Sequence, residues 1–254
     1  KGSKSVAVGN GALNLQNFTT ATDTYNVAVG HQAGAAITTG LFNTIIGGLA
    51  GDALTDADDN VALGVNALST DTKGSKSTAI GRTALQAQNF TTATSSYNTA
   101  VGFEAGANVT TGVENTLIGG LAGDALTDAD YNVAVGAHSL STDVLGSRSV
   151  AVGYAALFAQ NPATAVNMLN VAVGYQAGNL VTTGIRNTLI GGLAGDALTD
   201  ADDNTAVGYA ALSSCQLGSG NTAVGKDALE DCNPGSAVTM HNTAVGQGAA
   251  ANLT

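Results

Sequence analysis

Three ten-residue segments hold most of the acid in this chain. GDALTDADDN occupies Gly51–Asn60, GDALTDADYN Gly123–Asn132, and GDALTDADDN recurs at Gly195–Asn204. Asp52, Asp56, Asp58, Asp59, Asp124, Asp128, Asp130, Asp196, Asp200, Asp202 and Asp203 supply eleven of the 19 acidic residues. Clustered carboxylates beside backbone carbonyls are what a hard cation such as Ca²⁺ takes. GGLAGDAL at Gly47–Leu54 is close to the calcium-binding nonapeptide of parallel β-rolls. Two features weaken the match: Ala50 stands where that motif has Gly, and the copies lie 72 residues apart rather than in tandem. Two readings stay open, Ca²⁺ sites or solvated turns that keep the chain soluble; no other cofactor is expected.

Cys215 and Cys232 are 17 residues apart, each seven residues after the glycine of a recurring five-residue word. Stacked one strand spacing apart, about 4.8 Å, they fall inside the Cα window of a disulfide. Such a bridge suits an extracellular setting; an unpaired thiol pair and an interchain bridge are the alternatives. Phe18 and Tyr25 in NFTTATDTYN, and Phe90 and Tyr97 in NFTTATSSYN, are candidates for surface contact with a glycan or a lateral neighbour. The competing reading has them cover an apolar cluster under a longer loop. The corresponding later segments carry Pro162, Met168, Pro234 and Met240.

Enzyme chemistry finds no constellation. His31, His138 and His241 share no repeat position, and with Ser or Asp they form no recognisable catalytic or metal set. The glycine-rich stretches lack a P-loop lysine and a dinucleotide fingerprint. A net charge of −11 leaves no basic patch for phosphates, so no nucleic-acid partner is expected. No apolar run approaches the ~18 residues of a membrane span, so no membrane insertion is expected.

The elements that must position these residues come from the word itself. It reads Asn or Ser, Val or Thr, a small or apolar residue, an aliphatic residue, then Gly: SVAVG at Ser5–Gly9, NVAVG at Asn26–Gly30, NTIIG at Asn43–Gly47, NVALG at Asn60–Gly64. Fourteen copies end at Gly9, Gly30, Gly47, Gly64, Gly81, Gly102, Gly119, Gly136, Gly153, Gly174, Gly191, Gly208, Gly225 and Gly246. The gaps run 21, 17, 17, 17 and repeat, giving super-repeats 1–72, 73–144 and 145–216 and a partial one at 217–254.

Val6 and Val8 point to one face of a short strand and Ala7 to the other, and β-branched residues suit that pleat. The glycine allows a sharp turn or a close backbone approach. A unit this short cannot bury its own apolar face, whereas stacked copies paired in parallel can. The expected fold is all-β: a parallel β-solenoid of fourteen rungs, a rod about 65–70 Å long at roughly 4.8 Å per rung. Asn at eleven word starts, with Ser5, Ser77 and Ser149 at the others, satisfies backbone groups at turns and forms a ladder when stacked. Where the middle residue grows to Ile45, Leu117 or Leu189, the residue after the glycine becomes Gly48, Gly120 or Gly192. That reads as a volume trade in a packed interior, or as an accident copied by duplication.

SVAVGNGAL at Ser5–Leu13, STAIGRTAL at Ser77–Leu85 and NTAVGKDAL at Asn221–Leu229 resemble the head repeat of trimeric autotransporter adhesins, the YadA-like head. NTAVGYAAL at Asn204–Leu212 is also similar to repeats of phage tail fibres. The resemblance implies a left-handed parallel β-roll, three chains packed through apolar faces into a homotrimer, and a non-enzymatic role in attachment. It departs from the family in its longer rungs, and no stalk heptads, neck or outer-membrane barrel strands are present. Lys1–Ser5 repeats as Lys73–Ser77, and Leu253-Thr254 aligns with Ile37-Thr38, so the chain is expected to be a piece of a longer fibre or a subunit covered by its neighbours.

The reading is an extracellular fibrous adhesin or fibre shaft at a cell surface or on a virion. It would associate with itself as a homotrimer or end to end, and with a cell-surface glycan or protein receptor. The alternatives are a phage tail fibre segment, a purely structural filament subunit, and an ice- or carbohydrate-binding solenoid. The last draws on Thr pairs such as Thr19-Thr20 and Thr38-Thr39, which do not recur on consecutive rungs throughout, so no flat threonine face follows.

Overall fold

The computed structural model describes residues 2–253. Lys1 and Thr254, with which the end alignments above begin and stop, lie outside the described residues. Among the described residues there are strands and turns and no helix. The chain is a parallel β-solenoid of about fourteen turns, in two compact units, residues 1–128 and 129–254.

Every copy of the word forms a three-residue strand. In the first unit Val6–Val8, Val27–Val29, Thr44–Ile46, Val61–Leu63, Thr78–Ile80, Thr99–Val101 and Thr116–Ile118 pair in that order, parallel and in register. The second unit repeats this with Val133–Val135, Val150–Val152, Val171–Val173, Thr188–Ile190, Thr205–Val207, Thr222–Val224 and Thr243–Val245. The longer turns add a short second ladder, in which Gly2–Ser3 pairs Thr22–Asp23 and Gly74–Ser75 pairs Thr94–Ser95. Gly146–Ser147 with Val166–Asn167 and Gly218–Ser219 with Val238–Thr239 do the same in the second unit.

The strand faces divide as the alternation requires, and the small side is the inner one. Ala28, Ile45, Ala62, Ala100 and Leu117 are fully buried, as are Ala134, Ala172 and Leu189. The β-branched neighbours on either side of each look outward and stay half-exposed or exposed. An interior lined by alanine brings opposite walls close together, so buried aliphatics such as Ile37, Leu54, Leu68 and Leu126 fill what remains.

The volume trade exists, at a different glycine from the one expected. A Cβ on Gly48 would meet nothing within 4 Å, and at Gly120 the nearest atom, Phe103 O, is 4.0 Å away. The glycine four residues after the word is the one that yields. A Cβ on Gly51 would lie 3.1 Å from Ile45 Cδ1, on Gly123 2.8 Å from Leu117 Cδ2, and on Gly195 2.7 Å from Leu189 Cδ2. Where the middle residue is Ala62 or Ala79, that same position holds the buried Leu68 or Leu85. Beside Ala100 and Ala172 it is again glycine, because a Cβ on Gly106 or Gly178 would lie 2.6 or 2.8 Å from Leu117 or Leu189 of the next turn.

The glycine ending each word is required for two reasons. Gly47 sits at φ +137°, a region L side chains rarely adopt, and a Cβ there would lie 2.5 Å from the carbonyl oxygen of Gly64 one turn on. The residue before the word also takes a left-handed backbone, from 51° at Tyr25 to 74° at Gly220. Bulky residues in that conformation are strained, and here neighbouring turns hold them: the N–H of Phe42 donates to Thr24 O at 2.9 Å, and that of Lys76 to Asp58 O at 3.0 Å. This twist throws the preceding side chain outward and the Asn inward.

Inside, the asparagines form the ladder. Asn43 donates from its backbone N–H and from Nδ2 to Asn26 Oδ1, at 2.9 and 3.3 Å, and Nδ2 also reaches Ala57 O at 2.8 Å. Asn60 N–H donates to Asn43 Oδ1, and Ser77 N–H to Asn60 Oδ1. The second unit repeats it through Asn187, Asn204 and Asn221. The amides of Asn43, Asn187 and Asn204 are satisfied from the turns on either side, so the polar column costs little desolvation there.

Gly47→Ala is expected to destabilise the chain by roughly 3 kcal/mol or more, backbone strain adding to the clash. Gly48→Ala should stay within about 0.5 kcal/mol of wild type. Urea midpoints of the two variants give the comparison, and equal losses would refute the close-approach account.

Candidate functional site

The acidic segments place their carboxylates apart and give them separate tasks. Asp58 and Asp202 accept from the backbone N–H of Leu41 and Ile185 at 2.7 and 2.8 Å, tying adjacent turns together. The backbone N–H of Asp130, half-buried, donates to Ser147 Oγ at 2.9 Å, as those of Asp58 and Asp202 do to Ser75 Oγ and Ser219 Oγ. Asp56 and Asp200 are exposed and accept from their neighbours Thr55 and Thr199. Asp128 and Asp59 are exposed. Asp203 takes a two-pronged contact from Arg186, at 2.6 and 2.8 Å, which holds its carboxyl below the usual range. Asp52, Asp124 and Asp196 are half-buried. Burial raises the carboxyls of Asp52 and Asp196, whose Oδ1 atoms have no hydrogen-bond partner. Among the described residues no group of three or more His, Cys, Asp or Glu side chains is placed to hold a metal ion.

The four aromatics of the long turns split in two. Phe18 and Phe90 turn inward, 8% and 7% exposed, and offer no contact surface. Phe90 packs on Gly74, where a Cβ would come within 2.8 Å of its ring, and Met168 fills the corresponding place beside Gly146. Tyr25 and Tyr97 stand outside and already have partners. Lys4 and Lys76 donate to their hydroxyls at 3.0 and 3.1 Å and lie 5.1 and 5.0 Å over their rings. Lys76 also lowers the Tyr97 phenol's pKa.

A more extensive surface lies on the outer face of the sheet. The residue before each word glycine is aliphatic in every copy: Ile46, Leu63, Ile80, Val101 and Ile118 follow one another in the first unit, Val152, Val173, Ile190, Val207 and Val224 in the second. Leu63 is 44% exposed, Ile118 39% and Ile190 40%. Beside this column runs one of only Val and Thr, so neither carries a charge. In each unit the result is an uninterrupted apolar stripe one strand spacing per residue.

The sequence reading missed one interior column. The residue seven after the word glycine is Asp71, then Gln88 one turn on, both fully buried. Gln88 Nε2 donates to Asp71 Oδ2 at 2.6 Å and to Ser77 Oγ, while its Oε1 accepts from Asn98 Nδ2 at 2.8 Å. Asp71 Oδ1 takes the N–H groups of Gly74 and Phe90, fixing the turn. Asp143 and Gln160 repeat the pair, and Asn170 Nδ2 again donates to the glutamine. The third occurrence of these positions is Cys215 and Cys232, joined as a disulfide with Cα atoms 4.9 Å apart. The signal was available: the spacing used to pair the cysteines also aligns both Asp–Gln pairs.

Comparison with known protein families, with curated proteins and with solved structures returned no match for this chain.

Reducing Cys215–Cys232 is expected to lower stability by about 3 kcal/mol, the loop-closure value for a short loop. The double variant Cys215→Asp/Cys232→Gln should unfold alike with and without reductant and be more stable than the reduced wild type. Denaturant titrations under both conditions test this, and a variant no better than the reduced chain would refute the equivalence of the two pairs.

Burial raises the Asp143 carboxyl against the opposing donors of Gln160, Gly146 and Leu145. A carboxyl raised on folding adds stability that is full below its ordinary value of 3.8 and is lost as pH rises through the raised value. The stability gap between wild type and Asp143→Asn should therefore narrow as pH rises across the weakly acidic range. A constant gap in urea midpoints from acid to neutral pH would contradict this.

Proposed function

We propose that the chain is a non-enzymatic, extracellular fibrous protein that assembles with copies of itself and serves attachment. The observation that carries this is the aliphatic stripe on the outer sheet face, which a solitary chain leaves in water. A stripe of Ile46, Leu63, Ile118, Val173 and Ile190, exposed and uncharged, favours burial against an equal surface. A homotrimer, the assembly implied by the adhesin-head resemblance, satisfies it by turning three such stripes toward a common axis. The Cys215–Cys232 bridge favours an oxidising compartment. Attachment then works through number: three chains repeat the same weak surface contacts, and avidity follows from simultaneous engagement.

Light scattering of the chain is expected to give a mass near three times 24.8 kDa. Ile118→Lys and Ile190→Lys place charges on the stripe outside the core, so each should return the chain toward monomer with its circular dichroism unchanged. A wild-type monomer across concentrations overturns the assembly, and a ladder of larger species replaces the closed trimer with end-to-end growth.

A further inference from the structure

The super-repeats diverge toward aromatic residues in one place. His138, Tyr154, Ala155, Phe158, Gln176 and Asn179 line an open cleft of about 360 Å³. One super-repeat earlier the same positions hold Asn66, Arg82, Thr83, Gln86, Glu104 and Ala107. There Arg82 and Glu104 form an ion pair at 3.4 Å. The fold thus accepts a charged surface at these six positions, where Arg82 covers the ring of Phe103, the counterpart of Tyr175, at 4.7 Å, and the uncovered aromatic surface needs a separate explanation. Tyr154 is 49% exposed and Tyr175 57%, apolar area that the chain's own packing leaves in water.

We propose that this cleft binds a neutral saccharide. Its rings are mutually braced. Tyr154 stacks on Tyr175 with centroids 5.6 Å apart and planes 13° from parallel. His138 meets Tyr154 edge-on at 5.9 Å and Phe158 at 6.4 Å. The amides of Gln176 and Asn179 also line the cleft, and Asn179 Nδ2 donates to Ala155 O at 3.1 Å. Rings that receive the C–H face of a pyranose, beside amides that both donate to and accept from vicinal hydroxyls, are the pairing a sugar requires. None of the six lining residues is Lys, Arg, Asp or Glu, and the chain's charge of −11 repels anionic ligands. The sugar is therefore neutral. The volume sits at the small end of ligand sites, roughly 300–1,000 Å³.

This names a ligand class for the attachment role above and rests on that reading for its biological use, but one chain builds the whole cleft. The test is titration of the full chain with a panel of glucose, galactose, mannose, N-acetylglucosamine and their β-linked disaccharides, read by saturation-transfer NMR and calorimetry. Saturable binding to at least one member is expected, weakened about tenfold by Phe158→Gln or Asn179→Ala, the loss of one ring or amide contact. Both substitutions install the residue found at that position one super-repeat earlier, so the fold should be kept, as circular dichroism checks. Tyr97→Ser, away from the cleft, should leave binding unchanged. No saturable binding across the panel, or binding that Phe158→Gln leaves intact, overturns the proposal. A trimer that binds no sugar fails here alone; a monomer that binds sugar fails only the assembly.

Discussion

At the glycine column the backbone of one turn lies against the backbone of the next with no room for a side chain. The carbonyl oxygen of Gly64 occupies the place a Cβ on Gly47 would need, and Gly81 does the same to Gly64. That contact holds successive strands at a single spacing and in exact correspondence of residue to residue, as Ala28 with Ile45 and Ala62 with Ala79. Once the register is set, the nearest neighbour of each side chain is its counterpart one turn away. Like then stacks on like inside, Asn on Asn and Ala on Ala. Outside, unlike meets unlike to advantage, Lys4 over Tyr25 and Arg186 against Asp203. The strain of left-handed residues such as Phe42 and Lys76 is carried by the same register, because the neighbouring turn supplies the acceptor that fixes each one.

Much of the architecture was legible because a strict period leaves few options. The words gave the strands, the glycine gave the close approach, and the asparagines gave the ladder, all from residue type and spacing. What the sequence did not reveal was which side of a three-residue strand faces in. Val6 and Val8 are more apolar than Ala7, and apolarity alone assigns them to the interior. Geometry decides otherwise, since a turn this tight has width for alanine between its walls and not for two valines per strand. The same lack of a cross-section misplaced the volume trade, which falls on Gly51 beside the Ile45 side chain rather than on Gly48 next to it in sequence.

The functional surfaces were legible in a different measure. Acidic clusters attract notice in a linear sequence, yet on this turn Asp56 accepts from Thr55, Asp58 accepts from Leu41 one turn away, and Asp59 stands exposed. Phe18 and Tyr25 looked equivalent as aromatics in one loop, and the left-handed backbone at Tyr25 separates them, one in and one out. The cleft at His138 escaped because its residues are 41 positions apart at the extremes and belong to no motif. Only the register, which brings Tyr154 beside Tyr175, assembles them.

The buried Asp–Gln and Cys–Cys pairs bear on how such a chain lengthens or shortens. Asp71 ends one 72-residue block and Gln88 opens the next; Asp143 and Gln160 straddle the following junction, and Cys215 and Cys232 the last. Each full 72-residue block therefore carries half of a joint at either end. Blocks ending in Asp mate with blocks opening in Gln, and a block ending in Cys mates with one opening in Cys. Recombination that exchanges whole blocks of the first type leaves every joint matched. An exchange that set Cys215 against a glutamine, or Asp143 against Cys232, would bury half of one joint against half of another. The joints are keyed, and the key limits which rearrangements of the gene give a folded chain.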